Sequence, residues 1–86
     1  MAVLLLFAAA RDAAGTRRDV VDGATVAAVL DQAKARYGEH FAAVLARSRV
    51  WKNGEPVDLD TPVNDRDEVA VLPPVSGGST VSGGSA

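Results

Sequence analysis

Residues 2–8 read AVLLLFA and residues 68–72 read EVAVL. The first is a seven-residue apolar run without polar alternation, the pattern of a strand covered on both faces. A lone two-layer domain covers only one face of its sheet. The second apolar face is therefore expected to await a partner. The second stretch is a short strand that Pro73-Pro74 must end, because proline donates no ladder hydrogen bond.

Between these two strands the chain is punctuated by turn signals. Ala8 to Gly15 is Ala-rich, carries Arg11-Asp12, and ends on a glycine able to close a turn. Thr16–Val21 (TRRDVV) predicts a short strand with a polar edge, followed by the turn dipeptide Asp22-Gly23. Thr25 is an N-cap candidate. Val26, Val29, Leu30, Ala33 and Tyr37 then recur at helical spacings of three and four, so a helix is predicted over 25–37. Gly38 stops it. Phe41, Val44 and Leu45 predict one or two further helical turns within Glu39–Arg47. Arg49–Lys52 reads as a strand, Asn53-Gly54 as a hairpin turn, and Val57 with Leu59 as a short return strand. Asp60-Thr61-Pro62 breaks that strand, and Asn64-Asp65-Arg66 turns the chain into the last one.

Two hairpins thus flank one main crossover helix. With the first and last strands paired in parallel at the centre of a mixed sheet, this is an α+β, ubiquitin-like β-grasp. It is preferred to an unspecified α+β sandwich. Residues 1–74 form the predicted domain. Residues 75–86, VSGGSTVSGGSA, hold four Ser, four Gly and no charge, and are expected to be a flexible tail. The tail contains a tandem near-repeat, Val75–Ser79 and Val81–Ser85.

Composition narrows the function. Nine Lys+Arg against eleven Asp+Glu give a net charge of −2 over 86 residues, which argues against a nucleic-acid binder. Zero Cys removes disulfides, a Cys-based zinc site and thiol catalysis, and one His leaves no strong ligand cluster for a metal. No nucleophile–base pairing is visible, so an independent enzyme is disfavoured. The longest apolar run, Met1–Ala10, is about half of a spanning helix and lacks the basic flank of a signal peptide. No membrane association is expected, and the predicted compartment is the cytoplasm.

Leu4–Gly15 (LLLFAAARDAAG), the stretch VWKNGEPVDLDTPVNDRDEV and Asp67–Gly78 (DEVAVLPPVSGG) resemble the small subunit of molybdopterin synthase, in the MoaD/ThiS-type family of ubiquitin-like sulfur carriers. The resemblance spans residues 2–78. A bare Gly-Gly means little; following Pro73-Pro74-Val75-Ser76 directly after the last strand, it is specific. The resemblance implies a non-catalytic carrier that binds no cofactor. An E1-like activating enzyme would use ATP to adenylate the carboxylate of Gly78. A donor system would convert it to a thiocarboxylate, and the tail would enter the large subunit to supply sulfur for the dithiolene of molybdenum cofactor. Gly77 and Gly78, lacking Cβ atoms, suit passage through a narrow channel. Partner contacts are implied for Phe7, Arg11 and Leu72 on the head, and for Pro73, Pro74, Val75 and Ser76 leading into the tail. Sulfur carriage for thiamine, cysteine or tRNA thiolation is the nearest alternative, and a ubiquitin-like tag or interaction domain the next.

If Leu4, Leu6, Val69 and Val71 face the helix, period-two alternation sends Leu5, Phe7, Ala70 and Leu72 to the other face, although a slipped register would exchange the sets. Arg17, Arg18, Arg47, Arg49 and Lys52 read as scattered solvated basics, His40 as a surface loop residue, and Trp51 as sheet packing. Asp65, Asp67 and Glu68 read as a solvated acidic turn rather than a cation site. Two departures from the family pattern stand out. Asp65-Arg66-Asp67 replaces a usual Asp-Gly-Asp, which would cost about 1 kcal/mol if a non-Gly residue there were left-handed. The chain also continues for eight residues after Gly78, whose carbonyl cannot be adenylated inside a peptide bond. Protease trimming after Gly78 would free it. Otherwise the extension is an artefact or marks an inactive form, or Gly83-Gly84 serves after loss of Ser85-Ala86. That last route leaves up to about 20 Å of extra chain between head and sulfur.

Overall fold

Five strands form one mixed sheet in the computed structural model, which describes residues 1–74: β1 (Ala2–Leu6), β2 (Arg18–Val21), β3 (Arg49–Lys52), β4 (Glu55–Pro56) and β5 (Glu68–Leu72). Their order is β2-β1-β5-β3-β4. The central pair is parallel, with Leu4 opposite Val69 and Leu6 opposite Val71, and the other pairs are antiparallel. Three helices, α1 (Ala8–Ala14), α2 (Val26–Tyr37) and α3 (Glu39–Ala46), accompany the sheet. This is the β-grasp arrangement expected from the sequence.

The core follows from the two periodicities. Leu4, Leu6, Val69 and Val71 are buried and meet the helical stripe of Val26, Val29, Leu30 and Ala33, with Phe41 of α3 fully enclosed. The Thr25 hydroxyl accepts from the Ala28 backbone N–H at 3.1 Å, the N-cap that its position predicted. Asn53 and Gly54 adopt φ of 51° and 84°, both positive as a tight hairpin between twisted strands requires.

Three segments differ from expectation. Ala8–Ala14, expected only as an Ala-rich stretch closed by a glycine, is a helix, because alanine favours helix, Ala10 packs fully into the core, and Gly15 (φ 76°) caps the end through the Arg11 carbonyl. The return strand is Glu55–Pro56, and Val57 and Leu59 lie outside it. The Leu59 and Thr61 carbonyls instead accept from the Ala27 and Val26 N–H groups at 2.8 and 2.9 Å, satisfying donors that the start of α2 would otherwise leave unpaired. β2 begins at Arg18 rather than Thr16, whose hydroxyl bonds locally with Arg18.

The turn into β5 needs no left-handed residue. Among the described residues, only Ala8 and Asn53 are non-glycines with positive φ, so Arg66 carries no such strain. The Asp67 carboxylate organises the turn, accepting from the Asn64 backbone N–H and the Asn53 side-chain amide, each at 2.9 Å. Far from being solvated, Asp67 is buried. The Asn64 and Asn53 hydrogen bonds, joined by nearby Lys52, hold its carboxyl below the ordinary value of 3.8. A depressed folded-state pKa makes this contribution fully present above the unfolded value and lost as pH falls through the folded one. The urea midpoint is therefore expected to drop as pH falls from about 5 into the carboxylate range and below, and to drop less in Asp67→Asn. An equal pH dependence in both proteins would refute this role.

Gly23 is required for a different reason. A Cβ there would lie 2.6 Å from the Val29 backbone nitrogen and 2.8 Å from its Cγ2. Gly23→Ala is expected to cost about 1–3 kcal/mol by overpacking, read as a lower urea midpoint with an unchanged slope. An unaltered midpoint would mean that the loop before α2 yields freely.

Candidate functional site

The parallel β1–β5 pair decides where function is placed. Because both strands run the same way, Phe7 and Leu72 emerge at one end of the sheet, where the chain leaves through Pro73 and Pro74. The alternation puts Val3, Leu5, Ala70 and Leu72 on the face away from the helices. All four are half-buried, while Leu4, Leu6, Val69 and Val71 are sealed. Trp51, half-buried, lies on that open face, with Ala70 and Pro56 as its register partners on β5 and β4. The edge is completed by Val20 and Phe7, 44% and 45% exposed. The result is an apolar sheet face with no covering layer among the described residues.

Local backbone explains why Phe7 stays outside. It is the extended N-cap residue of α1 (φ −124°, ψ 154°), and Ala8 follows at φ 49°. A left-handed alanine costs about 1 kcal/mol and turns the chain off the sheet abruptly, leaving the phenyl ring behind on the surface. Nothing in the sequence AAARDAA signals that conformation. Below Phe7, a recess of about 280 Å³ is bordered by Leu5, Leu6, Arg11, Arg17 and Arg18. On the other side of the tail root, a groove of about 450 Å³ lies between α1 and α3, with Arg47, Pro73 and Pro74 on its border.

The structure brings Phe7, Arg11, Leu72, Pro73 and Pro74 to this end of the molecule. Val75, Ser76, Gly77 and Gly78 lie outside the described residues, as does the whole 75–86 segment expected to be a flexible tail. His40 sits on α3 rather than in a loop. The larger departure concerns the basic residues. Arg17, Arg18, Arg47 and Arg49 are not scattered, since the topology gathers them with Arg11 around the tail root, while Lys52 stays apart at the far end of β3. Their spacing in sequence gave no hint of this, because convergence depends on which strands pair.

A second polar cluster is structural. Asp19 of β2 accepts from the Tyr37 hydroxyl and from Arg36 Nη1, the latter at 2.7 Å, tying the end of α2 to the sheet edge. The Tyr37 hydrogen bond, with help from Arg36, lowers the Asp19 carboxyl pKa. Burial, reinforced by Asp19, pushes the Tyr37 phenol up to about 12. Among the described residues no group of three or more His, Cys, Asp or Glu side chains is placed to hold a metal ion. No described helix is long and apolar enough to cross a membrane.

The model of the ThiS family matches residues 4–78, from the first strand to the second glycine of the first Gly-Gly pair. The chain belongs to the ThiS family. Its members are small ubiquitin-like sulfur carriers, generally without catalysis of their own. SAMP1 from Haloferax volcanii is 33% identical, with a TM-score of 0.72 over 90% of this chain and 98% of that one. A chain of the Amycolatopsis orientalis BexX/CysO complex is 25% identical, with a TM-score of 0.77 over 91% and 100% of the two chains. A putative molybdopterin converting factor subunit 1 from Pyrococcus furiosus is 28% identical, with a TM-score of 0.72 over 86% and 97%. No curated protein matches.

Proposed function

We propose that this ThiS-family carrier is the small subunit of molybdopterin synthase, and that it delivers sulfur as a thiocarboxylate on Gly78. The observation that carries the docking part of the reading is the uncovered apolar face beside the tail root. Leu5, Phe7, Ala70 and Leu72 supply an interface core, and the chain leaves from its edge. A head docked there would aim the tail into the same partner. The large subunit and the adenylating enzyme would use this face in turn, with Arg11 at its margin and Pro73 and Pro74 guiding the tail.

The chemistry lies at Gly78. A free carboxylate is a poor electrophile, and an acyl-adenylate has a far better leaving group. Sulfur from the donor then displaces AMP, and the thiocarboxylate formed is a soft nucleophile at neutral pH. The carrier supplies an unhindered carbonyl and a tether; the enzymes supply acid, base and ATP. Adenylation needs that carboxyl free, so cleavage after Gly78 precedes it. The Pro73-Pro74-Val75-Ser76 approach to Gly77-Gly78 and the likeness to the Pyrococcus protein favour the molybdenum route. The likeness to the chain of the BexX/CysO complex favours a second reading, sulfur carriage to another acceptor by the same thiocarboxylate. A cytoplasmic location would suit either.

Intact mass spectrometry of the protein from its own host tests the carrier chemistry. A chain ending at Gly78, with a fraction heavier by the difference between sulfur and oxygen, is the expected result. A population continuing past Gly78 under molybdenum-cofactor demand, with no processed fraction, would overturn it. Complementation of hosts lacking either pathway then separates the two acceptors.

A further inference from the structure

The net charge of −2 conceals a division of charge along the sheet. Arg18 pairs with Leu5 on β1, and the Arg17 carbonyl accepts from Leu6 N–H at 2.9 Å. Arg49 pairs with Leu72 on β5, Arg47 borders the groove beside Pro73 and Pro74, and Arg11 shares the recess beneath Phe7. All five side chains are at the tail-exit end, on exposed residues. Among the described residues, Arg17, Arg18, Arg47 and Arg49 have no carboxylate within ion-pair distance. Arg11 has only its neighbour Asp12, at 3.7 Å. At the opposite end, where β1 and β5 begin, stand Asp22, Glu55, Asp65, Asp67 and Glu68, offset in part by Lys52, Arg66 and the Met1 ammonium, so that carboxylates outnumber cations there.

We infer that the tail-exit end is built to recognise an acidic protein surface, a rim of carboxylates around the opening that receives the tail. Unpaired guanidiniums match carboxylates in bidentate geometry, which adds orientation to attraction. A charge-divided head is turned in its partner's field so that the tail root arrives first, raising productive encounters. The apolar centre of Leu5 and Phe7 inside an arginine rim has the anatomy of a protein interface. The acidic far end would oppose an extended polyanion such as DNA or an anionic bilayer. The carrier reading supplies what docks here; the sign of the partner's charge follows from the arginines alone.

Two measurements separate these statements. Amide NMR of the full chain titrated with poly-L-glutamate is expected to shift Arg11, Arg17, Arg18, Arg47 and Arg49 and to leave the Asp65–Glu68 turn unmoved. Dispersed or absent shifts would overturn the inference, as would displacement of polyglutamate by duplex DNA or anionic vesicles at equal charge concentration. Stopped-flow association of the Gly78-ending chain with the host's adenylating enzyme is the second. Arg17→Glu/Arg18→Glu, and Arg47→Gln/Arg49→Gln as a milder pair, should slow association at least about 10-fold at low salt, with the gap closing near 1 M. Association untouched by either pair would defeat the inference and leave the carrier reading standing. Localised polyglutamate shifts without any association with the enzyme would do the reverse.

Discussion

A chain ending at Gly77 is expected to accept and deliver sulfur at least about 100-fold more slowly than one ending at Gly78. Both end in glycine, so the chemistry of the terminal carboxyl is the same. What changes is reach. Removing one residue withdraws the carbonyl by about 3.5 Å from where a docked head would present it, and a misplacement of about 1 Å already costs roughly 100-fold. The same logic applies in the other direction. A chain ending at Gly84 has an equivalent Gly-Gly but up to about 20 Å more tether, and is expected to be as poor. The measurement is thiocarboxylate formation with the activating enzyme, followed by sulfur transfer in the presence of the large subunit. Circular dichroism should be alike for all three chains, since all share every described helix and strand. Equal activity for the Gly77 and Gly78 chains would remove Gly78 from the site.

Phe41→Ala is expected to have the largest effect on folding, about 3–5 kcal/mol. Phe41 of α3 is fully buried, with its ring centroid 5.2 Å from that of Tyr37 at the end of α2. Truncation removes the transfer free energy of the ring and leaves a void that the surrounding core relaxes only partly to fill. A domain holds only about 5–15 kcal/mol in total, and one this small stands toward the lower end. The variant should therefore be partly unfolded at ambient temperature, seen as lost chemical-shift dispersion and a shortened native baseline in urea. Phe41→Leu, which keeps most of the volume, should cost nearer 1 kcal/mol. If Phe41→Ala unfolded at the same urea concentration as the parent, the core assignment of α3 would be wrong. A Phe7→Ala chain provides the contrast, since Phe7 is 45% exposed and its loss should be felt in partner binding rather than in folding.

Much of this protein could be read from short-range pattern. The helical spacing of Val26, Val29, Leu30 and Ala33, the Thr25 cap, the Asn53-Gly54 turn and the period-two alternation in AVLLLF and EVAVL are local consequences of backbone geometry. Each needs only neighbours a few residues away. The same reading foretold that one face of the strands is sealed and the other open, because alternation permits no third arrangement once the register is set. The Gly-Gly that ends the family match is likewise a matter of sequence, with Gly78 as its last residue.

Where distant segments meet was settled by tertiary structure. The Asp67 carboxylate is buried in a turn through bonds from Asn53 and Asn64, so a stretch that reads as solvated acid is a structural centre. Ala8–Ala14 becomes a helix because Ala10 finds a place in the core, and Val57 and Leu59 stay out of the sheet because that segment satisfies the start of α2. Five arginines from α1, the start of β2 and the residue before it, the end of α3 and β3 surround one chain exit only because β1 and β5 run parallel while β2 and β3 oppose them. Charge acts through space, and residues more than thirty positions apart become neighbours only when strands pair.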